Sequence, residues 1–156
     1  MASIIISANK VGEYWFDVEI AGARKRALMD TGFTGDAEIA VNRANWYKIK
    51  EALTEKGSGG QAMDFQGNPT TVEYGKGRVK FIGFDTEMEK LIVYAGGQED
   101  LLGANFFHNF PNLEMTWSFK TKTITLTEIE EYSDDNEEQY PGNKEAEEAE
   151  KNMGEN

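Results

Sequence analysis

The residues with the clearest capacity for chemistry are Asp30, Thr31 and Gly32, within Ala27-Leu28-Met29-Asp30-Thr31-Gly32-Phe33-Thr34-Gly35. An apolar strand here runs straight into a carboxylate and then into a small, glycine-rich turn. Placing a carboxylate at the end of a buried strand costs free energy unless hydrogen bonds hold it or a second group shares its proton. Such an acid either caps its own turn or is used for chemistry. Thr31 offers a hydroxyl, Gly32 lets the backbone come close to a ligand, and Gly35 releases the chain from the turn.

A second element lies downstream, Leu101-Leu102-Gly103-Ala104-Asn105-Phe106-Phe107. Alone it reads as a buried strand leading into a short amphipathic helix. In this order and at this separation, the two elements together resemble the retroviral-type, or retropepsin-like, aspartic proteases. Asp30 to Gly35 is especially similar to the active-site loop of their non-viral and bacterial relatives in clan AA.

The resemblance spans about residues 11–127 and implies a mainly β fold. Its form is a retropepsin-like closed β-barrel with one helix, a short helix after the Leu-Leu-Gly element, and action as a homodimer. The implied activity is that of an aspartic endopeptidase with Asp30 as the catalytic residue. Thr31 and Gly32 complete the active-site loop, and Phe33, Thr34, Gly67, Leu101, Leu102 and Gly103 are the implied substrate-binding residues. The reaction needs two carboxylates, yet the chain has no second Asp-Thr-Gly or Asp-Ser-Gly. One Asp30 from each of two chains would supply them. The substrate would be a polypeptide, with neither metal nor organic cofactor required. Many retroviral relatives have an acid four residues after the catalytic Asp and an Arg after the later Gly. This chain has Thr34 and Ala104 there, so both partners of that pair are absent together. The alternative function is a catalytically silent dimerisation or binding module on the same barrel.

Other constellations are poorer. His108 is the only histidine, and beside Phe107 and Asn109 it reads as a structural or exposed residue rather than a triad base. Asp134, Asp135, Glu137 and Glu138 lack a glycine-turned cation loop.

The elements that must position Asp30 can be read around it. Residues 4–6 form a short β-branched strand. From Glu13 to Ile20 the pattern alternates, with Tyr14, Phe16, Val18 and Ile20 on one face. Residues 21–23 turn the chain, and Arg24 to Met29 returns as the hairpin partner that delivers Asp30. Residues 37–41 are a further strand. Asn42 caps an expected helix from Arg43 to Lys56, with Trp46, Ile49 and Leu53 on its core face, stopped by Gly57 to Gly60. A hairpin is expected at 61–74, with a turn containing Gly67 and Asn68 that serves equally a substrate-covering flap or an ordinary surface loop. Strands at 77–82 and 90–94 follow. A closing hairpin pairs 113–117 with 121–126, and Ala2–Ser7 and Thr121–Leu126 are the candidate dimer strands.

The 156 residues allow one domain with a modest core. The chain contains no cysteine, which excludes disulfides and thiol catalysis. No signal-peptide core or membrane-spanning stretch is evident, and a cytoplasmic location is expected. Residues 128–156 hold twelve Asp and Glu against two Lys, accounting for −10 of the net charge of −12. The expected organisation is thus a protease domain at 1–127 and a disordered, acidic C-terminal tail at 128–156. The nearly neutral body has no basic stripe and gives no support to nucleic-acid binding.

Overall fold

Alternation in the Glu13–Ile20 segment produces a strand whose apolar side chains Phe16, Val18 and Ile20 are fully buried on one face. The computed structural model describes residues 2–63, 68–94 and 97–129. In chain order its elements are β1 (Ser3–Ser7), β2 (Trp15–Ile20), β3 (Ala23–Met29), β4 (Ile39–Ala40) and α1 (Arg43–Ile49). They continue with β5 (Thr54–Met63), β6 (Pro69–Phe81), β7 (Met88–Tyr94), β8 (Leu101–Leu102), α2 (Ala104–His108), β9 (Leu113–Ser118) and β10 (Thr123–Glu128).

The main sheet has the order β2-β3-β8-β4-β7-β6-β5, and an additional β2–β6 pairing closes six of its strands into a barrel. Two parallel pairings bring distant segments beside Asp30. In one, β3 and β8 set Leu28 against Leu101 and Met29 against Leu102. In the other, β4 and β7 set Ile39 against Ile92. Closure removes the free edges that an open sheet would expose. The fold is therefore the retropepsin-like closed barrel expected from the sequence.

A ring of aromatics fills one end. Phe81 on β6 packs against Phe106 of α2 with centroids 5.4 Å apart, against Phe110 at 5.4 Å, and against Phe16 of β2 at 5.7 Å. Outside the barrel, β1, β10 and β9 form a three-stranded sheet. The two candidate dimer strands, β1 and β10, pair antiparallel with each other in the single chain, Ser3 opposite Thr127 through Ser7 opposite Thr123. The outer edge of β9 has no strand beside it among the described residues.

Two sequence expectations need correction. The helix ends at Ile49, followed by a single 3-10 turn at Lys50–Ala52, and the 57–60 glycines lie in β5. Leu53 explains the early stop. It is buried against Gly77 of β6, where an added Cβ would sit 2.7 Å from Leu53 Cδ2. The Trp46-Ile49-Leu53 stripe is thus apolar in both conformations, and β6 rather than the helix takes Leu53. The segments at 70–74 and 77–82 are also one strand, the long β6 that pairs with both β5 and β7.

At the C-terminal side, Glu128 is the last residue of β10 and accepts from the Thr86 and Asp85 amides at 2.8 and 3.3 Å. Ile129 donates to Asn112 O at 2.9 Å. Residues 130–156, the greater part of the expected acidic tail, lie outside the described residues, as does Gly67.

Candidate active site

β3 ends at Met29, whose amide donates to Tyr14 O at 2.9 Å, and Asp30 follows immediately. The Asp30 amide donates to Leu102 O at 2.9 Å, so the turn starts from a position fixed by β8. The turn then closes on itself: Phe33 N–H donates to Asp30 O at 3.1 Å, and Gly32 N–H donates to Asp30 Oδ1 at 3.0 Å. The second bond orients the carboxylate while leaving Oδ2 available. Asp30 is half-buried, whereas Thr31, Gly32 and Thr34 are exposed. The Thr31 hydroxyl has no hydrogen-bond partner among the described residues.

Gly103 requires its lack of a side chain. A Cβ there would lie 2.5 Å from Phe33 Cδ1 and 2.7 Å from Phe33 O, distances that real Cβ atoms do not tolerate. Phe33 therefore packs directly against the start of α2. Ala104 N–H donates to Phe33 O at 3.1 Å, and the Asn105 side-chain amide donates to Gly35 O. The Asp-Thr-Gly turn and the Leu-Leu-Gly element, recognised separately in the sequence, are in direct contact. Leu101 is half-buried beside them. Leu102 is fully buried, so its side chain lies in the core rather than on an open pocket wall.

On the opposite flank, a hollow of about 240 Å³ borders Asp30 and Thr31 and is lined by Gly12, Glu13, Tyr14, Leu28, Met29 and Trp117. Phe33, Thr34 and the 101–103 residues are not part of its lining. Trp117, from β9, donates its indole N–H to Tyr14 Oη at 3.0 Å, with the rings edge to face at 5.4 Å. The role of Trp117 escaped sequence reasoning. Its signal is weak: an aromatic on a strand whose residues give no clear alternation.

Glu38, Lys90 and Asn109 were also missed. Lys90 lies on β7, is 1% exposed, and stands 2.9 Å from Glu38 Oε2. Burial lowers its pKa, opposed by the hydrogen bond and charge of Glu38. The available signal was a lysine in phase with the buried Ile92.

Asp100 is buried just before β8. It accepts from the Asn42 amide at 2.8 Å and from the Asn45 side chain, so it joins the start of α1 to β8. Burial raises its pKa, opposed by the bonds from Asn42 and Asn45 and by the charge of Lys25. Its oxygens are thus committed to the fold. His108 ends α2 and is exposed. No helix of the described residues is long and apolar enough to cross a membrane.

No protein-family model matches the chain, and no curated protein matches it in sequence. Solved structures do match it in shape. A retropepsin-like aspartic protease from Rickettsia conorii superposes with a TM-score of 0.61 at 16% identity, covering 80% of this chain and 89% of its own. The EIAV protease, solved with the inhibitor HBY-793, gives a TM-score of 0.54 at 16% identity, covering 67% of this chain and 93% of its own. The shared fold is that of the retropepsins.

Proposed function

We propose that the chain is an aspartic endopeptidase that acts as a homodimer, each copy contributing one Asp30. The observation that carries this reading is the Asp30 turn itself. It is a carboxylate at the end of a barrel strand, with one oxygen fixed by Gly32 N–H, the exposed Thr31 beside it, and the whole turn seated on Gly103. A structural carboxylate of this protein looks different: Asp100 is buried, with both oxygens bonded.

Two carboxylates about 3 Å apart hold one proton between them. The ionised Asp30 takes a proton from a water whose oxygen attacks the scissile carbonyl carbon. The protonated Asp30 gives its proton to the carbonyl oxygen. Collapse of the resulting diol returns a proton to the amide nitrogen and breaks the C–N bond, releasing one carboxylic acid and one amine. The chemistry uses only these carboxylates and water. Polypeptide substrate would lie across Gly32, with Phe33, Thr34, Leu101 and Gly103 nearby.

The second copy fits the β9 side. There the sheet edge is unpaired among the described residues, and Met115, Trp117 and Phe119 are 37%, 40% and 78% exposed. Edge pairing of β9 with β9 about a two-fold axis would bury these side chains next to the hollow that contains Asp30 and Thr31. The protease domain, read as 1–127, continues through the bonded residues Glu128 and Ile129, and the acidic segment beyond serves solubility. A cysteine-free chain suits a reducing cytoplasm.

The test is cleavage of an unfolded protein mixture across about pH 3.5–7.5, the range that brackets carboxylate titration, by wild type and Asp30→Asn. Cleavage by wild type alone is the expected result. No cleavage by a verified wild-type dimer would favour the silent binding module.

A further inference from the structure

We propose that the buried Glu38–Lys90 ion pair is a positioning device for the Asp30 turn, acting through Gly103 and Phe33; as a statement about catalysis it rests on the protease reading above. Lys90 Nζ meets Glu38 Oε2 at 2.9 Å and donates to Asn109 O at 2.9 Å, with the Phe110 ring centroid 4.4 Å away. Glu38 Oε1 accepts from Leu91 N–H at 3.2 Å, and Oε2 also receives the Asn109 side-chain amide at 3.4 Å. Three segments meet at this pair: β7, the C-terminal end of α2, and the stretch between the Asp30 turn and β4.

The backbone of Glu38 carries the connection onward. Its N–H donates to Leu91 O at 3.0 Å, and its carbonyl accepts from Gly103 N–H at 2.9 Å. From Gly103 the path is short. Phe33 rests on Gly103, Ala104 N–H holds Phe33 O at 3.1 Å, and Phe33 N–H holds Asp30 O at 3.1 Å. Displacing Glu38 therefore moves the surface on which the Asp30 turn sits.

A buried ion pair is a poor way to gain stability alone, because desolvation offsets most of the attraction and an apolar pair of similar volume often serves as well. It does supply direction, since each Glu38 oxygen is aimed by named donors. Neither Glu38 nor Lys90 lies in the turn or lines the hollow, so both are positioning residues rather than catalytic ones.

The full chain is compared with Lys90→Met, Glu38→Gln and the double variant, at a temperature where circular dichroism shows each one folded. Backbone hydrogen exchange reports positioning without requiring activity. The expected result is that protection of the Phe33, Gly103 and Ala104 amides falls about tenfold or more in all three variants, while the β2–β3 ladder keeps wild-type protection. Neutralising both charges in the double variant restores Tm toward wild type without restoring that local protection. Where wild type cleaves protein, kcat falls about tenfold or more in the double variant with KM little changed, as misplacement of reacting groups predicts. Local protection and kcat returning together with Tm in the double variant would overturn the proposal and leave the pair a purely structural feature. Absence of cleavage by a verified wild-type dimer would defeat the protease reading, while the exchange measurement would still decide whether the pair positions the turn.

Discussion

On its Gly103 flank the Asp30 turn is tied repeatedly to its own chain, whereas on its Trp117 flank it borders an open hollow. The first flank has Phe33 on Gly103, Ala104 N–H on Phe33 O, Asn105 on Gly35 and the Glu38–Lys90 pair behind them. The second has an exposed Thr31, the Tyr14–Trp117 contact, and a strand edge carrying Met115, Trp117 and Phe119. One flank satisfies itself within a single chain. The other combines exposed apolar area with an unpaired edge, features that mark an association surface. In the proposed dimer, the second carboxylate would arrive from the β9 side.

The largest effect should come from breaking the open flank. Trp117→Asp combined with Phe119→Asp is expected to leave each chain folded but monomeric by analytical ultracentrifugation, with cleavage abolished at concentrations where wild type is active. A fully active monomer would dissolve the contrast between the flanks. On the closed flank, Gly103→Ala forces a Cβ against Phe33 and should cost about 2–3 kcal/mol, the upper part of the range for overpacking. Chemical denaturation measures that loss, and a neutral substitution would show that the seat of the turn is looser than its distances imply.

A smaller, pH-dependent effect concerns Asp100, which anchors β8 behind the closed flank. Burial raises its pKa in the folded state. Its contribution is therefore fully present below the unfolded carboxylate pKa, about 3.9, and is lost as pH rises through the folded value. Thermal melts of wild type and Asp100→Asn should show wild type gaining relative stability on acidification. A gap in Tm that stays constant with pH would remove this assignment. The smallest effect is expected at Lys76, which pairs with Glu55 at 2.7 Å on the surface, where both side chains are well exposed. Lys76→Ala should leave Tm and cleavage unchanged, in contrast to Lys90→Met, because solvent screens an exposed pair.

Much of the closed flank was legible in the sequence, because both of its halves are local patterns. An apolar strand ending in Asp-Thr-Gly and a Leu-Leu-Gly step into a helix each declare themselves over a few residues. Strand β2 was equally plain from Tyr14, Phe16, Val18 and Ile20. What escaped were contacts between residues far apart. Nothing local shows that Lys90 will find Glu38, or that Leu53 will leave its helical stripe to pack on Gly77 of β6. The closing hairpin of β9 with β10 was legible as a local pattern, but the pairing of β1 with β10 was not. β1 and β10 pair within the chain, and β1 and β9 form the two outer edges of that sheet among the described residues.

The most direct measurement of the central claim is a mixing experiment. Wild-type chain and Asp30→Asn are combined in equal amounts, allowed to exchange subunits, and assayed for protein cleavage at fixed total concentration. If every active site takes one Asp30 from each of two copies, random pairing leaves about one quarter of the wild-type activity. Retention of about one half, the result for chains that each work alone, would contradict the shared dyad.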